Sequence, residues 1–281
     1  MITKKDVIPG SFRDPSGFVF FQNGALYRQV NLIYREHYDH LMQSGLYEAL
    51  TRSGLLIPHR EVDSTGGAAP DHAYKILDVE LVPFISYPYE WCFSQLKAAA
   101  LATLKIQKIA GDYGMTLKDS SAYNIQFVNG KPLLIDTLSF EKYREGQIWV
   151  PYRQFCQHFL APLALMSYRD IRLNQLLRVY LDGIPLDLAS ALLPRRTWLK
   201  PTLVTHIHLH AKGQKRFAGK SVTKGDYKLG RLRFAALIDH LEAAVRGLHW
   251  QAGGTEWANY YEHTNYSPQA HEQKKALVAA F

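Results

Sequence analysis

Three polar residues in the middle of this 281-residue chain have types and spacing that suit phosphoryl transfer: Asp119, Asn124 and Asp136. The stretch from Leu117 runs Leu-Lys-Asp-Ser-Ser-Ala-Tyr-Asn-Ile-Gln-Phe-Val-Asn-Gly-Lys-Pro-Leu-Leu-Ile-Asp. An acid is therefore followed five residues later by an amide, and a second acid closes an apolar strand. Moving a phosphoryl group from ATP asks a protein for charge placement more than for covalent chemistry. One carboxylate orients or deprotonates the acceptor hydroxyl, an amide oxygen holds Mg²⁺, and a second carboxylate bridges that metal to the phosphates. On this reading Asp119 is the base, Asn124 and Asp136 are metal ligands, and ATP and Mg²⁺ are the cofactors. The bland alternative is structural: both aspartates cap turns and Asn124 opens a strand, positions that these residue types favour anyway.

The elements that must position this set follow from period and punctuation. Residues 17–31 read as a β-hairpin around Asn23-Gly24, with alternating residues after the turn. Apolar spacing from Tyr34 to Ser53 is helical, broken by Gly45 and stopped by Gly54. Residues 55–63 and 74–86 look like strands, separated by the turn-rich 64–70. Tyr-Pro-Tyr-Glu-Trp at 87–91 interrupts the pattern, and 93–109 is a helix rich in Ala, Leu and Lys, stopped by Gly111 and Gly114. A second hairpin joins 124–128 to 131–135 through Asn129-Gly130. From about Val150 the chain is mostly helical. The expected class is α+β, a two-lobed arrangement with a small β-rich lobe over 1–88 and a larger helical lobe over 89–266. Ser267-Pro268 supplies an N-cap and first-turn pair for a last helix, 269–281. That helix stops without a C-cap, which suggests a linker into a longer parent protein.

The D-x-x-x-x-N spacing of Asp119 and Asn124, the hairpin behind it and Ile135-Asp136 resemble the protein-kinase-like fold, closest to its aminoglycoside-phosphotransferase-like branch. The resemblance spans about residues 15–165 with a specific core at 117–138. It implies a nucleotide held between the lobes and transfer to a small-molecule hydroxyl. It also implies a nucleotide-anchoring cation on the early strands, for which Arg28 is the nearest candidate, with Glu48 or Glu36 on the following helix as its ion-pair partner. Arg is not a simple stand-in for Lys at such a place. The chain departs from the pattern in three ways: Leu117-Lys118 precede the aspartate where His or Arg is usual, Asp136-Thr-Leu replaces Asp-Phe-Gly, and no G-x-G occurs. Those departures point to a degenerate domain, so a pseudokinase-type module that binds and presents substrate is the rival expectation.

A second resemblance takes in Ser86-Tyr-Pro-Tyr-Glu-Trp91, the Asp119 loop, Pro151-Tyr-Arg-Gln-Phe155 and Thr205-His-Ile-His-Leu-His210. As a set these look like the region that precedes a class I SAM-dependent methyltransferase domain in bacterial proteins of the nodulation-related type. It implies that the partner is a methyltransferase domain beyond Phe281, with SAM bound there only.

Composition sets the outer limits. Hydrophobic residues make up 47% of the chain and aromatics 12%, enough for a sizeable core and against general disorder. Cys92 and Cys156 are the only cysteines, which excludes a disulfide framework and a C-x-x-C metal site. With no long apolar run and no leader-like N-terminus, a soluble, cytoplasmic protein without a membrane span is expected. The net charge of +8 is local: Arg195–Arg233 holds eleven Lys or Arg against Asp226 alone. Such a stretch suits phosphate-bearing partners or is a solvated loop, though no aromatic series or recognition-helix pattern favours nucleic acid. His206, His208 and His210 would share a face on a strand and could ligate Zn²⁺; on a helix they would splay. Glu90-Trp91 beside two tyrosines is either a pocket wall or a packed aromatic corner.

Overall fold

Asn23 and Gly24 take left-handed φ values of 52° and 81°, which a two-residue hairpin turn demands, and join β1 (Gly17–Gln22) to β2 (Ala25–Asn31). The computed structural model describes residues 7–11, 14–63, 69–217, 230–251 and 264–281. After β2 come α1 (Arg35–Gln43) and α2 (Leu46–Arg52), separated by Gly45 at φ 86°. β3 (His59–Val62) and β4 (Ala73–Val79) complete an antiparallel sheet of order β1-β2-β4-β3. β2 is thus an inner strand, with Arg28 facing Val19 on one side and Leu77 on the other. Val30, Tyr34, Tyr38, Leu77 and Leu138 form a small core beneath it. The strand expected over 74–86 ends at Val79. The segment beyond it includes Pro83, which cannot donate to a ladder, and exposes Leu81, Phe84 and Ile85.

The segment 86–91 is an anchored connection. The Gln126 amide brackets the Ser86 backbone, accepting from its N–H (2.9 Å) and donating to its carbonyl (3.1 Å). Trp91 is 1% exposed, edge-on to Phe127 with centroids 5.2 Å apart, and its indole N–H donates to Ser86 Oγ. Glu90 accepts from the Tyr87 N–H (2.7 Å). This is the packed corner, and Glu90 is structural within it.

α3 (Phe93–Asp112) runs three residues past its expected end, to Gly114 at φ 70°. Its buried residues, Leu96, Ala99, Ala100, Thr103, Leu104, Ile106, Gln107 and Ala110, recur at helical spacing and form the spine of the main core. Two short strands that sequence alone did not signal, β5 (Met115–Leu117) and β8 (Phe140–Lys142), pair antiparallel. Between them lies the expected hairpin of β6 (Ile125–Val128) and β7 (Lys131–Leu134), with Asn129 and Gly130 at φ 50° and 74°.

The rest is helical. α4 (Tyr152–Phe155) passes through a π turn at Cys156–Leu160 into α5 (Ala161–Tyr168), followed by α6 (Leu176–Val179) and α7 (Leu186–Leu192). α8 (Pro201–Leu203) enters a second π turn, Val204–Leu209, that continues as α9 (His210–Phe217), and α10 (Arg231–Arg246) packs along α3. Compact units divide at His249 and Trp250. Within the second, α11 (Pro268–Ala280) is capped by Ser267 Oγ, which accepts from the Ala270 N–H at 3.2 Å. Among the described residues no helix is long and apolar enough to cross a membrane.

The histidine row lies on helical backbone, where His206 and His210 both pack on Tyr152 and His208 faces another way. His206 bonds Tyr152 Oη (2.7 Å) and His240 (2.8 Å), whereas His208 is held by Ser190 (2.8 Å) and Thr197 (2.9 Å). Among the described residues, no three metal-capable side chains converge. Burial pushes His59, His158 and His206 down to about 4. In the unfolded chain they titrate near ~6.5, so between these values the unfolded state binds protons that the folded state does not. Their stabilising contribution is complete above ~6.5 and is lost as pH falls towards ~4. Urea midpoints should therefore drop steadily between about pH 7 and about pH 4.5; an unchanged midpoint across that range would contradict buried, neutral histidines.

Candidate functional site

Asp136 follows the end of β7, and its carboxylate is the most heavily engaged group of the three sequence candidates. The Arg28 guanidinium, reaching across from β2, forms an ion pair with Oδ1, and the Leu138 N–H donates to the same oxygen at 3.3 Å. Ser139 Oγ donates to Oδ2 at 2.5 Å. Both side chains are largely enclosed, Arg28 14% and Asp136 19% exposed. Burial alone would push the Asp136 carboxyl up. The Arg28 charge, the Ser139 and Arg28 hydrogen bonds and the Leu138 N–H outweigh it and hold the group below the usual aspartate range. Arg28 can do this because the inner position of β2 fixes its backbone on both sides.

Asn124 joins the same cluster indirectly. Its amide Nδ2 donates to Ser139 Oγ at 3.2 Å, and that hydroxyl donates onward to Asp136. Its backbone carbonyl accepts from the Ile135 N–H at 2.8 Å, so the start of the hairpin and the residue before Asp136 are held side by side. Asp119 sits differently. Oδ1 accepts from the Ser121 N–H at 2.8 Å, a local turn. The loop is clamped to the start of α4 through Gln154 Oε1, which accepts from the Ser120 N–H at 2.7 Å. Asp119's charge is felt by His158, drawing that ring's proton affinity upward against the larger effect of burial.

The sheet is docked onto this loop at further points. Lys118 Nζ donates to Ser16 Oγ (2.7 Å) and to Asp14 Oδ2 (3.1 Å), and its own N–H donates to the Ser139 carbonyl (2.8 Å). Tyr34 Oη donates to the Phe140 carbonyl at 2.5 Å. Gly17 lies so close that a Cβ there would meet Gln29 O at 2.1 Å and the Leu138 side chain at 2.8 Å. From below, Gln107 Oε1 on α3 accepts from Leu117 N (2.9 Å) and Thr116 Oγ1 (3.1 Å), fixing β5 ahead of the loop.

The structure thus brings Arg28 directly, and Asn124 through Ser139, to the Asp136 carboxylate, with Asp119 on the adjoining loop. Glu48 is not part of the cluster: it is exposed on α2. The carboxylate partner expected for Arg28 on the following helix is corrected to Asp136, because Glu36 is drawn to Lys142 Nζ at 2.7 Å on the surface. Ser139, Lys118 and Gln154 were not signalled by sequence. The Asp-x-x-Ser spacing of 136–139 was the one local clue, since Asp and Ser at that separation close a turn through side-chain bonds. As arranged, both Asp136 oxygens are committed, and a guanidinium neutralises the carboxylate that would have to face a divalent cation. The donor set does not fit Mg²⁺ without displacement of Arg28.

The fold and site define an α+β protein with a small antiparallel sheet docked by an ion pair onto a helical body. The chain is similar to nodulation protein NoeA of Rhizobium meliloti (strain 1021), 34% identical over 280 residues, which take in 98% of this chain and 58% of NoeA. The nodulation-related part of the expected resemblance therefore extends over nearly the whole sequence, while this chain spans just over half of that relative's length. No protein-family model matches.

Removing one partner of an enclosed ion pair leaves the other charge uncompensated and costs about 3 kcal/mol or more, whereas removing both costs less than the sum. Arg28→Met should therefore destabilise strongly by urea denaturation, and adding Asp136→Asn should restore part of the loss. Additive effects in the double mutant would contradict the pairing.

Proposed function

We propose that this chain is a catalytically silent, kinase-like binding module of a larger protein, holding a ligand for the domain that follows it rather than transferring phosphate. The observation that carries the reading is the Arg28–Asp136 ion pair. In phosphoryl transfer the aspartate at this point in the chain must present a free carboxylate to the metal that bridges the phosphates. Here a fixed, permanently charged side chain takes that place, and guanidinium does not deprotonate to make way. The kinase-like reading itself is supported by the order of parts: a small sheet with Arg28 on an inner strand, a long helix, the Asp119–Asn124 loop, a hairpin and then Asp136. The absence of a G-x-G loop and of Asp-Phe-Gly in the sequence fits the silent form.

An attached SAM-dependent methyltransferase remains the proposed partner domain, supported by the motif set at 86–91, 117–124, 151–155 and 205–210 and by the match covering only 58% of NoeA. The nodulation setting that NoeA's name states is carried to this chain only as part of the proposal. A second reading, an ATP- and Mg²⁺-dependent phosphotransferase acting on a small-molecule hydroxyl, has one observation in its favour. Asn124 and Asp136, its two metal ligands, are already linked through Ser139. On that reading Arg28 would leave Asp136 for a phosphate, Asp119 would act as base, and Glu48 would have to approach Arg28 from its exposed place on α2.

Calorimetry with ATP, with and without Mg²⁺, on the wild type and Asp136→Ala separates the two. The silent module is expected to show no Mg²⁺-dependent binding and to form no ADP on prolonged incubation. Mg²⁺-dependent binding that Asp136→Ala abolishes, with ADP produced by the wild type, would overturn it in favour of the phosphotransferase.

A further inference from the structure

The basic stretch singled out by charge has a described part with a definite shape. Arg195–Leu199 is a 3₁₀ turn leading into α8. Thr197 points inward and is fully buried, its hydroxyl bonded to the Pro194 carbonyl (2.7 Å) and His208 Nε2 (2.9 Å). Pinned from beneath in this way, the turn presents Arg195, Arg196, Trp198, Leu199 and Lys200 outward. Trp198 is 40% exposed and Leu199 82%. The indole is held rigidly: the His208 ring stacks on it with centroids 4.3 Å apart, and Lys212 Nζ lies over it at 4.6 Å. From Leu188 to Phe217 the sequence has six Lys or Arg and no acidic residue.

We infer that this turn docks the protein onto an anionic phospholipid surface, with Leu199 and the exposed edge of Trp198 entering the interface and Arg195, Arg196, Lys200 and Lys212 meeting the headgroups. Two features select a lipid surface. A Trp–Leu tip among cations combines the two signals that peripheral binding requires, apolar insertion and headgroup attraction. Amphipathic indoles settle at the headgroup level, and lysines with long stems can keep their ammonium in water as the tip enters. The rival polyanion, single-stranded nucleic acid, is disfavoured by the same geometry. Base stacking needs an open aromatic face, and here His208 and Lys212 already cover the indole. A protruding leucine gains nothing from a phosphate backbone. The inference does not depend on whether the Asp136 site binds nucleotide.

Flotation of the full 281-residue chain with phosphatidylcholine vesicles, with and without phosphatidylglycerol, tests it. The chain should float with phosphatidylglycerol vesicles only, less so as salt rises. Leu199→Ser, at an exposed position where folding is not at stake, should weaken partitioning roughly tenfold, the loss expected for withdrawing one leucine from an apolar phase. The charge-reversed Arg195→Glu/Lys200→Glu variant should not float. No retention on phosphatidylglycerol vesicles at low salt would overturn the inference. So would retention that Leu199→Ser leaves unchanged, or tighter binding to a single-stranded RNA oligonucleotide than to the vesicles.

Discussion

The ion pair between Arg28 and Asp136 is the constraint on which the rest of the arrangement turns. It joins an inner strand of the sheet to the segment that closes the β6–β7 hairpin, two places 108 residues apart in sequence. Neither charge would tolerate its enclosure alone, because a desolvated, unpaired ion costs several kcal/mol. Each partner therefore fixes the other. The docking of the sheet on the loop follows, with Lys118 reaching back to Asp14 and Ser16, Tyr34 bonding the Phe140 carbonyl and Gly17 admitting the Leu138 side chain.

This pairing also commits the Asp136 carboxylate. Asp136, Ser139 and Asn124 form a chain of donors and acceptors running toward one carboxylate, and the cation at its end is a side chain. A metal-binding aspartate and a phosphate-binding arginine would each need to be available to a ligand. Bonded together, they satisfy one another and form a joint between the sheet and the loop after β7. Asp119 retains a half-buried carboxylate on a loop clamped by Gln154, beside a neutral, buried His158.

Much of the framework was legible in the sequence because it rests on local rules. Asn23-Gly24 and Asn129-Gly130 announce both hairpins, since a two-residue turn needs positive φ at each position and these residues accept it. The apolar period of α3 and the Ser267-Pro268 start of α11 are equally local. What was not legible depends on partners far away in the chain. β5 and β8 are three residues each and exist only because they pair with one another. β4 stops at Val79 although the apolar alternation continues, because β2 and β3 pair it no further. The candidates Asp119, Asn124 and Asp136 were found by type and spacing. Their bonding was not, since choosing Asp136 over Glu36 or Glu48 for Arg28 requires knowing which strand face meets which loop. The exposed tip at Trp198–Leu199 follows the same logic: charge marked the stretch, but only the inward turn of Thr197 shows which side chains face out.

The most direct test of the central claim is a ¹³C NMR titration of the Asp136 side-chain carboxyl, assigned by comparison with Asp136→Asn and repeated in the presence of Mg²⁺. Sealed by Arg28, this carboxyl is expected to titrate below the ordinary aspartate value of about 3.9, with a resonance at neutral pH that Mg²⁺ does not move. A carboxyl that titrates at or above the ordinary value, or whose resonance shifts as Mg²⁺ is added, would contradict an aspartate sealed by Arg28.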